Sequence, residues 1–334
     1  MSIEKAVSCI KKYRRFLISS HTNMEGDALG SELAFYFLVK KLGKQAVIVN
    51  EDPVPYGYEF LPGQNAIRRY RHGMKVPAFD CFVAVDCSDE RRTGEVYRLN
   101  GEPGGASVRK PILNIDHHIS NGFFGTVNWV DPQASCACEM VYELYKRLGV
   151  ALDKKAALAL YAGIVTDTGS FRYTNTTAHT HAVASELIAC GVPVAAIYRS
   201  IYASIPLEDL RLLLRVLPTM KVELGGKVVW FQLRKELLKK AGVVTIDLGE
   251  SVLNFGRSLK DVEVVILFKE NLTRQNEVRV NFRSQGAIDV NQIARAFGGG
   301  GHKTASGCTV KGALDALRRR VLQKVRQAVY ARHP

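Results

Sequence analysis

Asp116-His117-His118 brings one carboxylate and two imidazoles directly after the apolar run Pro111-Ile112-Leu113-Asn114-Ile115. Open α/β sheets place their sites at the carboxyl ends of strands, so a strand ending here would deliver all three groups together. Three further clusters close three other apolar runs: His21, Glu25 and Asp27 after residues 15–20, Asp86 after 81–85, and Asp167 after 162–166. Aspartate is a common cap and turn former, but capping does not explain why every cluster follows an apolar run. One shared site explains it. His21, Glu25, Asp27, Asp86, His117 and Asp167 offer more oxygen donors than a closed zinc site uses, and they suit manganese or magnesium. Two ions about 3.5–4 Å apart, bridged by a carboxylate and a water, would stabilise both the attacking and the leaving oxygen of a phosphoryl transfer. Gly26 is expected to let the turn between Glu25 and Asp27 be tight. His72, His179, His181 and His333 have no comparable context and read as structural or surface groups.

The elements that must hold these groups alternate in the manner of an α/β chain. Strand patterns fall at 15–20, 45–49, 81–86, 112–116 and 126–129, and helical spacing at 28–42, 136–148 and 154–165, with further helices from 177 to 215. Past Leu217-Pro218 the strand patterns are 219–224, 227–232, 262–268 and 277–283, with Gly225-Gly226 as a hairpin signal. Helical patterns follow at 233–241, 289–296 and 311–331. The expected fold is α/β: an N-terminal, largely parallel sheet flanked by helices, and a smaller C-terminal α/β domain with a mixed sheet. The expected division is a metal-binding catalytic domain over 1–200, a linker over 201–216 and a substrate-binding domain over 217–334.

A chain of 334 residues with 47% hydrophobic and 23% charged residues can bury two ordinary cores, which argues against disorder. No apolar stretch approaches the roughly 18 residues of a membrane span, and the N-terminus lacks the apolar core of a signal peptide, so a cytoplasmic location without a membrane is expected. Seven cysteines, an odd number without zinc-site spacing, read as reduced; Cys136 and Cys138 read as small packing residues at a helix entry. The net charge of +14 favours an anionic partner. The basic clusters at 11–15, 68–72 and 318–320 are far apart in sequence and read as solvated faces.

In the C-terminal half, Gly298-Gly299-Gly300-Gly301-His302 follows an amphipathic pattern over 289–297. Four residues without side chains would let consecutive amides close round a phosphate or carboxylate, with His302 as an added donor. The strand pattern over 279–284 sets Arg279, Asn281 and Arg283 on one face. Arginine suits phosphate because its planar fork donates two parallel hydrogen bonds.

These motifs resemble the DHH phosphoesterases over nearly the whole chain. The resemblance is carried by residues 21–31, Val85-Asp86, Asn114-Ile115-Asp116-His117-His118, residues 166–172 and the glycine run ending at His302, which is similar to the DHH-associated C-terminal domain. It implies that His21, Glu25 and Asp86 hold one manganese ion, and that Asp27, Asp86, His117 and Asp167 hold a second, with Mg2+ or Co2+ as substitutes. It implies that His118 faces the scissile phosphate while Asp116 orients its neighbours. Arg283 and Ser284 match positions that help hold a nucleotide, beside Gly299, Gly300, Gly301 and His302. One domain that cuts and one that holds suit short substrates better than duplex DNA.

The implied activity is hydrolysis of short oligoribonucleotides to nucleoside monophosphates, of 3′-phosphoadenosine 5′-phosphate to AMP, or of both, by a homodimer. Linear or cyclic dinucleotides, pyrophosphate and polyphosphate are rival substrates, and a nucleotide-binding module without catalysis is the non-enzymatic rival. The family commonly has aspartate where this chain has Glu25, and often proline at the position of Met24. Retained activity with an altered metal preference is expected.

Overall fold

Six short runs form the first sheet: β1 (Arg15–Ser19), β2 (Gln45–Asn50), β3 (Ile67–Arg69), β4 (Cys81–Val85), β5 (Ile112–Asp116) and β6 (Val127–Val130). They lie in the order β3-β2-β1-β4-β5-β6 and every neighbouring pair is parallel. Both faces of such a sheet must be covered. β4 and β5 accordingly are buried at every residue. Strand order reverses between β1 and β4, and in open α/β sheets the crevice beyond the strand ends at that reversal is where ligands bind. His21 and Asp86 follow those two strands.

Among the described residues, six α-helices complete this unit: α1 (Ile3–Lys12), α2 (Gly26–Lys41), α3 (Ala137–Leu148), α4 (Lys154–Asp167), α5 (Ala178–Ala189) and α6 (Val194–Tyr202). Phe16 and Ile18 of β1 point into the larger core with Leu29, Leu33, Phe35 and Leu160, while Leu17 between them joins Val49, Phe82 and Ile112 on the other face. That alternation is the period of a strand with two covered sides. The edge strand β3 was not expected from the sequence. It is short, and its Arg68 and Arg69 are exposed, a charged edge of the kind that discourages pairing with other chains.

The computed structural model describes residues 2–101, 109–239, 248–272 and 274–332, in two units, Met1–Ser204 and Ile205–Pro334. The second unit contains α7 (Leu207–Val216), β7 (Lys221–Glu223), β8 (Val228–Leu233), α8 (Lys235–Lys239), α9 (Leu248–Arg257), β9 (Val264–Glu270), β10 (Glu277–Ser284), α10 (Val290–Arg295), β11 (Gly300–Gly301), β12 (Ala305–Lys311) and α11 (Leu314–Tyr330). Its strands run in the order β11-β12-β10-β9-β8-β7, with only β8 and β9 parallel, so the sheet is mixed. One face packs Val280 and Phe282 against Ile293, Val321 and Val325; the other packs Phe231 and Leu267 against Leu212, Val252 and Leu253. β12 escaped sequence reading because Ser306, Gly307 and Thr309 break its apolar alternation. Positions 240–241 of the helix expected over 233–241, and His333, lie outside the described residues. Among the described residues, no single helix is long and apolar enough to cross a membrane.

Candidate metal centre

The acidic and histidine groups of the first unit converge beyond the ends of β1, β4 and β5. Asp86 follows β4 with φ 56°, a left-handed conformation that aspartate tolerates better than most residues. Its Oδ2 lies 3.3 Å from His21 Nε2, and its Oδ1 lies 3.4 Å from His117 Nε2 and 3.5 Å from His118 Nδ1. His117 Nε2 is also 3.7 Å from Asp27 Oδ2 and 3.9 Å from Asp167 Oδ2. Ligand atoms of Asp27, Asp86 and His117 all lie within 4.8 Å of one another. Glu25 is the N-cap residue of α2; its side chain makes no capping hydrogen bond and is exposed.

Helix termini set the charge at this place. Asp27 sits in the first turn of α2, and its two oxygens accept from the amides of Ala137 at 2.7 Å and Cys138 at 2.8 Å, the first residues of α3. Two helix N-termini therefore face one carboxylate, which stabilises its negative charge. Burial and the neighbouring Asp86 outweigh them, so the Asp27 pKa is pushed up to about 6. Asp167 is the last residue of α4, at the negative end of that helix. Burial, with Asp27 and Glu25 nearby, raises its pKa well above the usual carboxylate range. Burial would also raise Asp86, yet the contacts from His117 and His21 hold it well below that range. Burial likewise works against charge on the imidazoles, but Asp167 and Asp86 raise His117 well above its ordinary value, and Asp86 raises His21.

Crowded carboxylates that keep protons and draw imidazoles toward the charged state are a site in need of positive charge. The donor set fits divalent cations. Asp86 Oδ1 is buried and accepts no hydrogen bond. His21 Nδ1 donates to the Thr22 carbonyl at 2.8 Å, so Nε2 is the ring nitrogen that could hold a cation.

Gly26 has a reason other than turn geometry. A β-carbon there would lie 2.5 Å from Thr166 Oγ1 and 2.7 Å from Thr166 Cγ2, so glycine lets α4 approach the start of α2 and bring Asp167 near Glu25 and Asp27.

Several groups that position the site were not singled out in the sequence. His118 Nδ1 is 2.7 Å from Asp116 Oδ1, and Asp116 Oδ2 accepts from Asn121 Nδ2 at 2.6 Å. Asn121 also reaches Asn114 Oδ1 at 2.8 Å, tying the tripeptide back to β5. Asn175 donates to both the carbonyl and the Oδ2 of Asp167 at 3.2 Å. Behind His21, the Asn50 amide donates to both oxygens of buried Glu32 at 2.8 and 2.9 Å, while its Oδ1 accepts from the amide of Ser20 at 3.1 Å. Amides carry no charge signature; only their spacing, five residues from Asp116 to Asn121 and eight from Asp167 to Asn175, offered a hint.

In the second unit the glycine run is built differently from the expected four-amide cradle. The amides of Gly298 and Gly299 donate to Arg295 and Ala294 carbonyls at 3.0 and 2.9 Å and so finish α10, and the His302 amide donates to the Ala305 carbonyl at 2.7 Å. Gly300 and Gly301 pair with Gly307 and Ser306 of β12. A β-carbon on Gly299 would stand 2.2 Å from the Gly307 carbonyl oxygen, so close strand approach accounts for glycine there. Arg279, Asn281 and Arg283 do share the more open face of β10. Arg283 Nη2 and Nε meet the Glu250 carboxylate at 2.5 and 3.4 Å, so its fork already has an anionic partner in the same unit. Ser284 is buried.

Residues 15–164 match the model of the DHH family N-terminal domain, and residues 238–330 match that of the DHHA1 domain. The chain is 35% identical over 312 residues to the bifunctional oligoribonuclease and PAP phosphatase NrnA of Thermus thermophilus, covering 93% of this chain and 89% of that one. It is 34% identical to the protein of the same description from Bacillus subtilis, covering 91% of this chain and 92% of the relative. Among solved structures, an exopolyphosphatase-related protein from Bacteroides fragilis superposes with a TM-score of 0.83 at 26% identity, covering 98% of this chain and 95% of that one.

Proposed function

The chain belongs to the DHH family and hydrolyses phosphoester bonds; from that premise we propose that it cleaves short oligoribonucleotides to nucleoside monophosphates and removes the 3′-phosphate of 3′-phosphoadenosine 5′-phosphate, with two divalent cations, manganese before magnesium or cobalt. The observation that carries this reading is the convergence on Asp86. His21 meets one of its oxygens at 3.3 Å and His117 the other at 3.4 Å. Asp86 would hold the cations together with His21 and Glu25 on one side and with Asp27, His117 and Asp167 on the other. Bound there, the cations supply Lewis acidity, making a water nucleophilic and drawing charge from the phosphoryl oxygens.

The remaining work falls to the chain's own groups. Asp116 accepts the Nδ1 proton of His118, which leaves Nε2 to meet the leaving oxygen. His118 then gives its proton to the departing alkoxide, so that water and a phosphodiester become an alcohol and a phosphomonoester. Asn121 fixes the far oxygen of Asp116 and thereby the plane of the whole pair. The two NrnA relatives, described as acting on both substrate types, support the substrate class. A product-resolved assay with dinucleotide, 3′-phosphoadenosine 5′-phosphate and pyrophosphate in the presence of manganese tests it; turnover of pyrophosphate alone would contradict it.

A further inference from the structure

Directly after Asp167 the backbone takes a rare path. Gly169, Ser170 and Phe171 have φ of 56°, 60° and 64° in succession, a conformation that residues with a β-carbon adopt seldom. Surrounding contacts enforce it. Thr168 Oγ1 accepts from the Phe171 amide at 3.1 Å, the Thr168 carbonyl accepts from the amides of Arg172 and Tyr173 at 3.0 Å, and the Phe171 ring stacks on His181 at 5.0 Å. Strain that is held in place this firmly marks a position with a task.

What the turn achieves is a small cavity of about 160 Å3 lined by Ser170, Arg172, Tyr198 and Tyr202. Both tyrosines belong to α6, their ring centroids 5.3 Å apart, and Tyr198 is 52% exposed. The Tyr202 hydroxyl donates to the Val165 carbonyl at 3.1 Å, and Arg172 Nε donates to the Gly169 carbonyl at 2.6 Å. The cavity therefore lies against the last turn of α4, the turn that carries Asp167. The two rings are tilted 44° to one another, and with the guanidinium they line the cavity with aromatic and planar cationic groups, the kinds of side chain on which single-stranded nucleic acid stacks its bases.

We propose that this cavity is a nucleobase subsite, which takes the base of the nucleoside beyond the scissile phosphate. The assignment rests on the phosphoester-hydrolase reading above and adds to it a reason for accepting oligoribonucleotides. 3′-Phosphoadenosine 5′-phosphate offers one base and a terminal phosphate. A dinucleotide offers a second base, and only that base needs this cavity.

The test compares the full chain with Tyr198→Ala and Tyr198→Phe, measuring kcat/KM for 5′-phosphorylated diadenylate and for 3′-phosphoadenosine 5′-phosphate with manganese. Tyr198→Ala lowers the ratio of the first to the second about tenfold, mainly through KM, because one stacked base is lost. The phenylalanine variant keeps the ring and stays near the wild-type ratio. An unchanged ratio in Tyr198→Ala overturns the subsite, whether both rates fall or neither does. If the wild type turns over neither nucleotide, the substrate reading fails by itself. Equilibrium dialysis with adenylyl-adenosine then decides the subsite: weaker binding by Tyr198→Ala supports it, and equal binding overturns it.

Discussion

His118 Nδ1 lies 2.7 Å from Asp116 Oδ1, and both side chains are buried. Asp116 accepts there, so the adjacent histidine keeps one tautomer and one ring orientation, with Asn121 holding the carboxylate from its other oxygen. Replacing Asp116 with asparagine exchanges an acceptor for a group that can also donate, and the favoured tautomer is lost. Asp116→Asn is expected to lower kcat about a hundredfold and Asn121→Ala about tenfold. Manganese affinity, measured by isothermal titration, changes far less in both variants, because neither residue is assigned as a ligand. Equal losses in affinity and kcat would move these residues into the metal site.

The tripeptide was legible in the sequence because a carboxylate and two imidazoles rarely close an apolar run together without a shared chemical task. β1, β4 and β5 were legible because buried parallel strands are continuous apolar runs. Asn121, Asn175 and the Glu32–Asn50 pair were not, since their value lies in partners brought together by folding. Gly26 shows a third case, in which the residue was noticed for one reason and the structure adds another. The sequence suggested a tight turn; the structure shows a helix that comes too close for any side chain. The glycine run before His302 was likewise legible as special, while strand pairing and the end of α10 claim much of its backbone.

Metal binding must expel protons from the site. With Asp27 raised to about 6 and Asp167 and His117 both raised well above their ordinary values, the metal-free site holds protons that cations displace. Affinity for manganese therefore rises as pH increases from about 6 to 8. Calorimetry in buffers of different ionisation enthalpy should show net proton release, larger at pH 6 than at pH 8. Proton uptake on binding would contradict the assignment of these ligands.

Glu32 predicts a separate pH effect. Burial raises its pKa from 4.5 to about 8, although the hydrogen bonds from Asn50 oppose the shift. Between those values the folded chain holds a proton that the unfolded chain has released, so Glu32 destabilises the fold progressively as pH rises through that window. Glu32→Gln removes the ionisable group while keeping an oxygen for Asn50. Its Tm should fall less than that of the wild type between pH 6 and pH 8. Parallel pH profiles would show that Glu32 is already ionised at pH 6.

Glu25 is exposed at the start of α2, where the family resemblance leads one to expect the shorter aspartate. Shortening it moves the carboxylate by more than a bond length. Glu25→Asp should shift the manganese concentration for half-maximal activity and the preference over magnesium, with the products unchanged. Identical metal titrations would remove Glu25 from the ligand set.

If the groups around Asp86 bind the cations on which hydrolysis of short nucleotides depends, activity must vanish and return with the metal. A chromatographic product assay on diadenylate and 3′-phosphoadenosine 5′-phosphate decides this, run on metal-stripped protein, after restoring manganese, and with Asp86→Asn. Adenosine monophosphate should appear from both substrates only in the manganese-restored wild type. Equal turnover by the stripped protein, or by Asp86→Asn, would contradict a metal centre built on Asp86.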